Sequence, residues 1–387
     1  MNCSRLSRWL PWLHRTPLGG KVWRFFLPLV EGARALFEAT PFFRTANKFA
    51  VLSLITADVP SCLLPLLAEL FPAAESLYFE VVNGYLKITK EENRNVPEEP
   101  TTRAGKLHEV SFLGFTKLKR LTIGQVFCFQ KIHLPMSLLT LRISADAGEV
   151  RYAPDIGEDI AGCTNLEELH ANFSIPLQSF SRLVDLKLKI QSKIDSKSLE
   201  SLTSEVLEKL QLQFDRHALD IFCFPKLNKF GKSLRTLVIH ESIPIPNECV
   251  EGLELTRLDL YYPNFGRPLL RFAAQKLRTL SIFRSNMFSS NEMEIIANLS
   301  SLTELSLLGT IRIESMRYLL PNLGSLRTLN LDVGATPHNP YHDHDFLEII
   351  ANCSPDNLLN LSFLNAPISL PVIQSIGSLS NLRSVFF

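Results

Sequence analysis

The chain has 387 residues, 66 of them leucine, with 40 Lys plus Arg against 39 Asp plus Glu for a net charge of +1. At 46% apolar and 20% charged residues it is long enough to bury a large core, and it lacks the basic excess of a nucleic-acid binder. Seventeen Gly and 23 Pro exclude collagen-like and low-complexity classes, and no apolar run reaches the 18 residues of a membrane-spanning helix.

The first 30 residues carry Arg5, Arg8, Arg15, Lys21 and Arg24 and no acid, a charge of +5 that leaves 35 minus 39, or −4, for the rest. Arg-rich and acid-free is the pattern of a mitochondrial transit peptide. Pro11, Pro17, Gly19 and Gly20 interrupt the long amphipathic helix such a peptide needs. The expectation over residues 1–48 is therefore a helical N-terminal segment with an exposed basic face. Seven scattered cysteines without a Cys-x-x-Cys pair read as buried, reduced thiols, which points to an intracellular protein of cytoplasm or nucleus. Five Asn-x-Ser triplets, at Asn2, Asn172, Asn298, Asn352 and Asn360, are weak evidence for secretion.

Two degenerate leucine units come next, Phe49-Leu52-Leu54 and Ala74-Leu77-Phe79. Residues 89–105 are charged, proline-containing and poor in apolar side chains, so a mobile loop is expected there. From residue 118 the spacing Leu-x-x-Leu-x-(Leu/Ile/Phe) recurs strictly ten times, as in Leu118-Leu121-Ile123, Leu210-Leu212 after Leu207, and Leu302-Leu305-Leu307. Looser copies at Leu166-Leu169-Ala171 and Leu382-Val385-Phe387 complete the register, with a mean interval of 24 residues. The last two apolar positions are two apart, so they face one side of a short strand while their neighbours face the other. One unit cannot bury its apolar face alone; stacked units share a continuous core beneath a parallel sheet.

Between strands, Asn291–Ala297, Glu314–Leu320, Asp345–Ala351 and Pro371–Ile376 show helical apolar spacing. Each ends at Asn298, Asn322, Asn352 or Gly377, residues that accept a left-handed C-cap. The 17-residue interval from Leu166 to Leu183, interrupted by Pro176, should lack a helix.

These repeats resemble the leucine-rich repeat superfamily, in its ribonuclease-inhibitor-like branch. The resemblance covers residues 107–387 well and 49–106 poorly. It implies an α/β leucine-rich repeat solenoid over 49–387, a curved parallel sheet with helices on the convex side, behind the N-terminal cap. It also implies a protein partner on the concave sheet. Intracellular members with an F-box recruit substrates to ubiquitin ligases, and Leu27-Pro28 opens an apolar segment loosely like an F-box start. A substrate receptor docking an adaptor through residues 20–60 is the alternative function.

Phosphate-binding glycine loops, Gly-x-Ser-x-Gly and His-Glu-x-x-His are absent, so no enzyme activity and no cofactor are expected. His342 and His344 with Asp343 have metal-ligand chemistry on a loop. The expectation is instead an exposed insertion whose Asp343 or Asp345 caps a helix beginning near Phe346. The outward strand positions are polar with a basic tendency in the first half of the array. The position after the third apolar residue then reads His240, Tyr261, Phe283, Leu308 in four consecutive units. In-register parallel strands place these side by side, so Tyr261, Phe283 and Leu308, with Arg257 and His240 beside them, are the expected partner-binding patch. The chain stops within the strand pattern Leu382–Phe387; self-association through that edge, a covering partner and an incomplete sequence remain open.

Overall fold

The computed structural model describes residues 23–27, 51–56, 63–81, 108–124, 129–144, 156–173, 175–190, 193–214, 224–240, 245–261, 276–285, 290–309, 313–332, 343–353, 357–364 and 369–386. The chain divides into two compact units, residues 1–183 with 201–204, and residues 184–200 with 205–387.

The first unit carries strands β1 (Trp23–Leu27), β2 (Val51–Thr56), β3 (Ser76–Val81), β4 (His108–Ser111), β5 (Arg120–Gly124), β6 (Phe129–His133), β7 (Thr140–Ile143) and β8 (Glu168–Ala171). Its helices are α1 (Leu63–Leu70) and α2 (Ile156–Ala161). Strands β1-β2-β3-β5-β7-β8 form a parallel sheet in that order. The degenerate units pair in the repeat register, Leu52 with Leu77 and Leu54 with Phe79, then Leu77 with Leu121 and Phe79 with Ile123. Where a helical segment was expected over 1–48, the described residues Trp23–Leu27 are a strand, and Trp23 and Phe25 take the register of Leu52 and Leu54. Alternating large apolar residues suit a strand as well as a helix, and pairing to β2 decides between them. The remaining residues of 1–48, and the expected loop at 89–105, lie outside the described residues.

Strands β4 and β6 form a separate two-stranded parallel sheet. Helix α2 closes its flank: the Ile132 N–H of β6 donates to Asp159 Oδ2 at 2.9 Å. Residues 172–183 contain no helix among the described residues, as Pro176 and the short interval require.

The second unit runs β9 (Asp185–Ile190), α3 (Lys193–Ser201), β10 (Lys209–Phe214), β11 (Thr236–His240), α4 (Asn247–Val250), β12 (Arg257–Tyr261) and β13 (Thr279–Ser285). It continues through α5 (Ser290–Ala297), β14 (Glu304–Gly309), α6 (Ile313–Leu319), β15 (Thr328–Asp332), α7 (Asp343–Asn352), β16 (Asn360–Leu364), α8 (Leu370–Ile376) and β17 (Ser384–Phe386). These strands pair in parallel in sequence order, and each repeat leucine faces its counterpart: Leu237, Leu258, Leu280, Leu305, Leu329 and Leu361 form one row. Every member of that row is fully buried, as the leucine spacing demands. This is a leucine-rich-repeat stack, α/β in class.

The repeats are tied by a recurring backbone device. Two successive N–H groups at the entry to β5, β7, β8 and each of β10 to β17 donate to one carbonyl of the preceding repeat. Arg235 and Thr236 share Glu208 O, Thr256 and Arg257 share Arg235 O, and Thr303 and Glu304 share Arg278 O, all at 2.8–3.0 Å. Each linkage satisfies two donors in the turn where the chain enters the sheet, which no buried backbone group can forgo.

One helix end corrects the capping expectation. Gly377 is right-handed, at φ −60° and ψ −18°. The asparagines act through their side chains: Asn298, Asn322 and Asn352 Nδ2 donate to the carbonyls of Glu294, Tyr318 and Glu348 at 2.9, 2.7 and 2.8 Å. The Asn298 backbone N–H also donates to Glu294 O, at 3.2 Å, so its side-chain amide adds a second donor to a carbonyl of the last turn. Gly252 is left-handed, at φ +81°. Its carbonyl lies 2.6 Å from where a Cβ on Gly231 would sit, so these two turns approach as only glycine permits. Helix α7 begins at Asp343, three residues earlier than expected. Cys163, Cys249 and Cys353 are buried, and the Cys249 thiol donates to Phe224 O at 3.4 Å. Burial pushes the thiols of Cys163 and Cys353 up to about 11 and about 12.

Candidate functional site

The outward positions of β11 to β14 form three rows across the strands. The register aligns Thr236, Arg257, Thr279 and Glu304; then Val238, Asp259, Ser281 and Ser306; then His240, Tyr261, Phe283 and Leu308. The structure thus brings together every residue expected in the contact patch.

The third row is more ordered than spacing alone implies. His240 and Tyr261 stack with centroids 4.1 Å apart and planes 17° from parallel; Tyr261 and Phe283 stack at 4.2 Å and 6°. Strands about 4.8 Å apart hold flat rings near stacking distance, so the sheet itself imposes the geometry. Each aromatic pair adds about 0.5–1.5 kcal/mol beyond area burial. Leu308 extends the row, and all four side chains are half-buried, neither sealed in the core nor fully in water. The loop Tyr262–Gly266, the expected alternative cover, lies outside the described residues. Gln211 reaches the end of the stack, its Nε2 2.7 Å from His240 Nε2.

The middle row is the part that sequence reasoning missed. Val238, Asp259, Ser281 and Ser306 face outward in register yet are buried, at 8, 6, 4 and 8% exposure. The rows on either side overhang them, so the middle row is the floor of a trough running across the strands. Ser306 is buried and accepts from Asn330 Nδ2 at 2.9 Å. Arg257, exposed on the first row, donates from Nε to Asp259 Oδ2 at 2.9 Å. Asp259 Oδ1 is buried and accepts from no donor among the described residues. A buried carboxylate oxygen without a donor costs free energy until one is supplied. The available signal was an acid placed between large apolar side chains on the outward face, Leu258-Asp259-Leu260-Tyr261.

Farther along, β15 to β17 carry a polar side-chain ladder. Asn360 Nδ2 donates to Thr328 Oγ1 at 3.0 Å, and Ser384 donates to Asn360 Oδ1 at 2.6 Å. In the first unit the outward positions are charge-paired, as in Arg142 with Glu168 at 2.6 Å. Glu254, at the turn before β12, is held below the ordinary carboxylate range, first by Lys276 and then by Arg235.

Of the metal candidates, His342 lies outside the described residues, and the backbone of Asp343 and His344 forms the first turn of α7. Among the described residues no group of three or more His, Cys, Asp or Glu comes together as a metal set. No described helix is long and apolar enough to cross a membrane.

No protein-family model matches the chain. No curated protein matches it either. Among solved structures it is similar to a leucine-rich repeat protein of Leptospira interrogans, at 14% identity and a TM-score of 0.36, over 93% of this chain and 100% of that one.

Proposed function

We propose that this chain is a non-catalytic binding scaffold that holds a protein partner on the open face of its second-unit sheet. The contact residues are Tyr261, Phe283 and Leu308, with His240 and Arg257 at their side. The observation that carries the reading is the continuous, half-exposed ring stack on that face. Aromatic side chains and arginine dominate binding energy where proteins meet, and they do so when set in a partly desolvated surface. The reading assigns no catalytic residue, no cofactor and no metal.

Proximity labelling in the native cell identifies the partner; Tyr261→Ala and Phe283→Ala then test the site. Each is expected to weaken binding by about 2 kcal/mol or more, while Tyr318→Ala, on the exposed side of α6, leaves it unchanged. Equal binding by all three variants would remove this face as the contact. The ubiquitin-ligase alternative gains no support from the described part of residues 20–60, which is strand β1 and strand β2. Self-association is a separate proposal, supported by the exposed Leu370, Ile373 and Phe386 on α8 and β17. Light scattering on a triple polar variant of these residues tests it, and an unchanged mass across concentration would sink it.

A further inference from the structure

The ion pair between Arg257 and Asp259 uses only one edge of the guanidinium. Arg257 Nε donates to Asp259 Oδ2 at 2.9 Å, and neither Nη group bonds to any described residue. The Asp259 side chain is 8% exposed and that of Arg257 51% exposed. A buried acid thus holds the arginine by Nε and leaves its Nη donors unpaired. The guanidinium is planar, so fixing Nε also fixes the plane in which those donors point. On either side of Arg257 in its row stand the half-buried Thr236 and Thr279, which bring hydroxyls and no charge. Lys209, two strands away in the same row, is bound to Asp185 at 2.7 Å. Glu304, two strands away on the other side, lies about 9.6 Å off at about 4.8 Å per strand. That exceeds the screening length of about 8 Å at physiological salt.

We infer that Arg257 takes a single carboxylate from the partner, the side chain of an aspartate or glutamate, while an apolar side chain of the same segment covers the aromatic row. This rests on the reading of the face as the binding surface and adds the chemistry of its occupant. The two oxygens of a carboxylate match the paired N–H groups of the guanidinium fork. Arg257 is pre-oriented by Asp259, so little side-chain freedom is lost when the acid docks. Arg257 and Tyr261 are four residues apart on β12, about 13 Å at about 3.3 Å each, with the buried middle row between them. The segment therefore sets its acid and its apolar side chain against opposite walls of the trough. A basic side chain is excluded, because Asp259 Oδ1 is buried and Oδ2 is already bonded. A phosphate carries nearly twice the charge of a carboxylate and is repelled correspondingly more by Asp259 and Glu304.

The test uses the full chain and a displayed library of random 16-residue peptides. Panning the chain in parallel with its Tyr261→Ala variant isolates the peptides that need the aromatic row. These are expected to share an aspartate or glutamate at a recurring distance from an apolar residue. A synthetic copy with that acid changed to its amide should bind about tenfold more weakly or worse, read by fluorescence anisotropy. A copy with phosphoserine there should also bind more weakly than the acid. Arg257→Lys keeps the charge and loses the fork, and should narrow the gap between acid and amide peptides. Arg257→Gln with Asp259→Ser removes both charges together and should abolish the gap. The gap compares two peptides on one protein, so a loss of stability does not mimic its disappearance, and circular dichroism checks that each variant is folded. Acid and amide peptides that bind the unaltered chain equally overturn the carboxylate and leave the aromatic face standing. So does a gap that persists in Arg257→Gln with Asp259→Ser, or tighter binding of the phosphoserine peptide. A library that yields no binder, or binders that all ignore Tyr261→Ala, overturns this inference and the reading beneath it.

Discussion

Leu305 and Ser306 are neighbours on β14 that do opposite work. Leu305 has no exposure and sits in the leucine row, so Leu305→Ala should cost about 2–5 kcal/mol by opening a cavity. Ser306 is 8% exposed and accepts from Asn330, so Ser306→Ala should cost about 0.5–1.5 kcal/mol rather than nothing. Urea denaturation of the two variants checks both figures, and equal losses would shift the strand register by one. At Asp259, Arg257 supplies the described protein donor to the carboxylate. Arg257→Ala should cost about 1–3 kcal/mol, and Asp259→Ser in the same chain should recover part of it, because the charge left unpaired is then gone. A double-mutant cycle measures that recovery. The thiols give a pH dependence. The folded pKa of Cys163 is raised from 9.0 to about 11, so the neutral thiol favours the folded state. Its contribution is intact below pH 9 and is lost as pH rises from about 9 through about 11. Cys163→Ala should flatten that alkaline decline in a series of denaturation curves, and an unaltered slope would show that another group governs it.

At the scale of elements, three helix ends of the second unit carry a side-chain amide, those of Asn298, Asn322 and Asn352. Asn298 and Asn352 each satisfy one carbonyl four residues back. Asn298→Ala and Asn352→Ala should each cost about 0.5–1.5 kcal/mol. Asn298→Gly should cost at least as much: it restores backbone freedom but removes the donor. A glycine variant more stable than wild type in thermal unfolding would return the left-handed cap to favour. The strands are legible in sequence because their two inward leucines leave one register that buries both. The early strands were harder. Trp23 and Phe25 of β1 lack the leucine wedge, and the two-stranded sheet of β4 and β6 has no repeat spacing at all. Contact partners select such segments, and a single chain reading shows no partner.

Across each unit, stability passes from repeat to repeat through shared strand edges and the paired turn bonds. Within the second unit, Leu305→Ala should therefore raise hydrogen exchange most in β13, β14 and β15 and progressively less toward β9. Uniform acceleration across the unit, read by mass spectrometry, would mean that it unfolds as one block. The leucine period determined the repeat, the parallel register, the inward core and the row His240, Tyr261, Phe283, Leu308, because residues two apart on a strand share a face whatever lies around them. Tertiary structure decided the rest. Whether an outward serine or aspartate is wet depends on the side chains packed around it on its own and neighbouring strands. Asp259 and Ser281 are buried on the outward face between rows two residues away along each strand, and only the folded sheet brings the strands that complete those rows to about 4.8 Å.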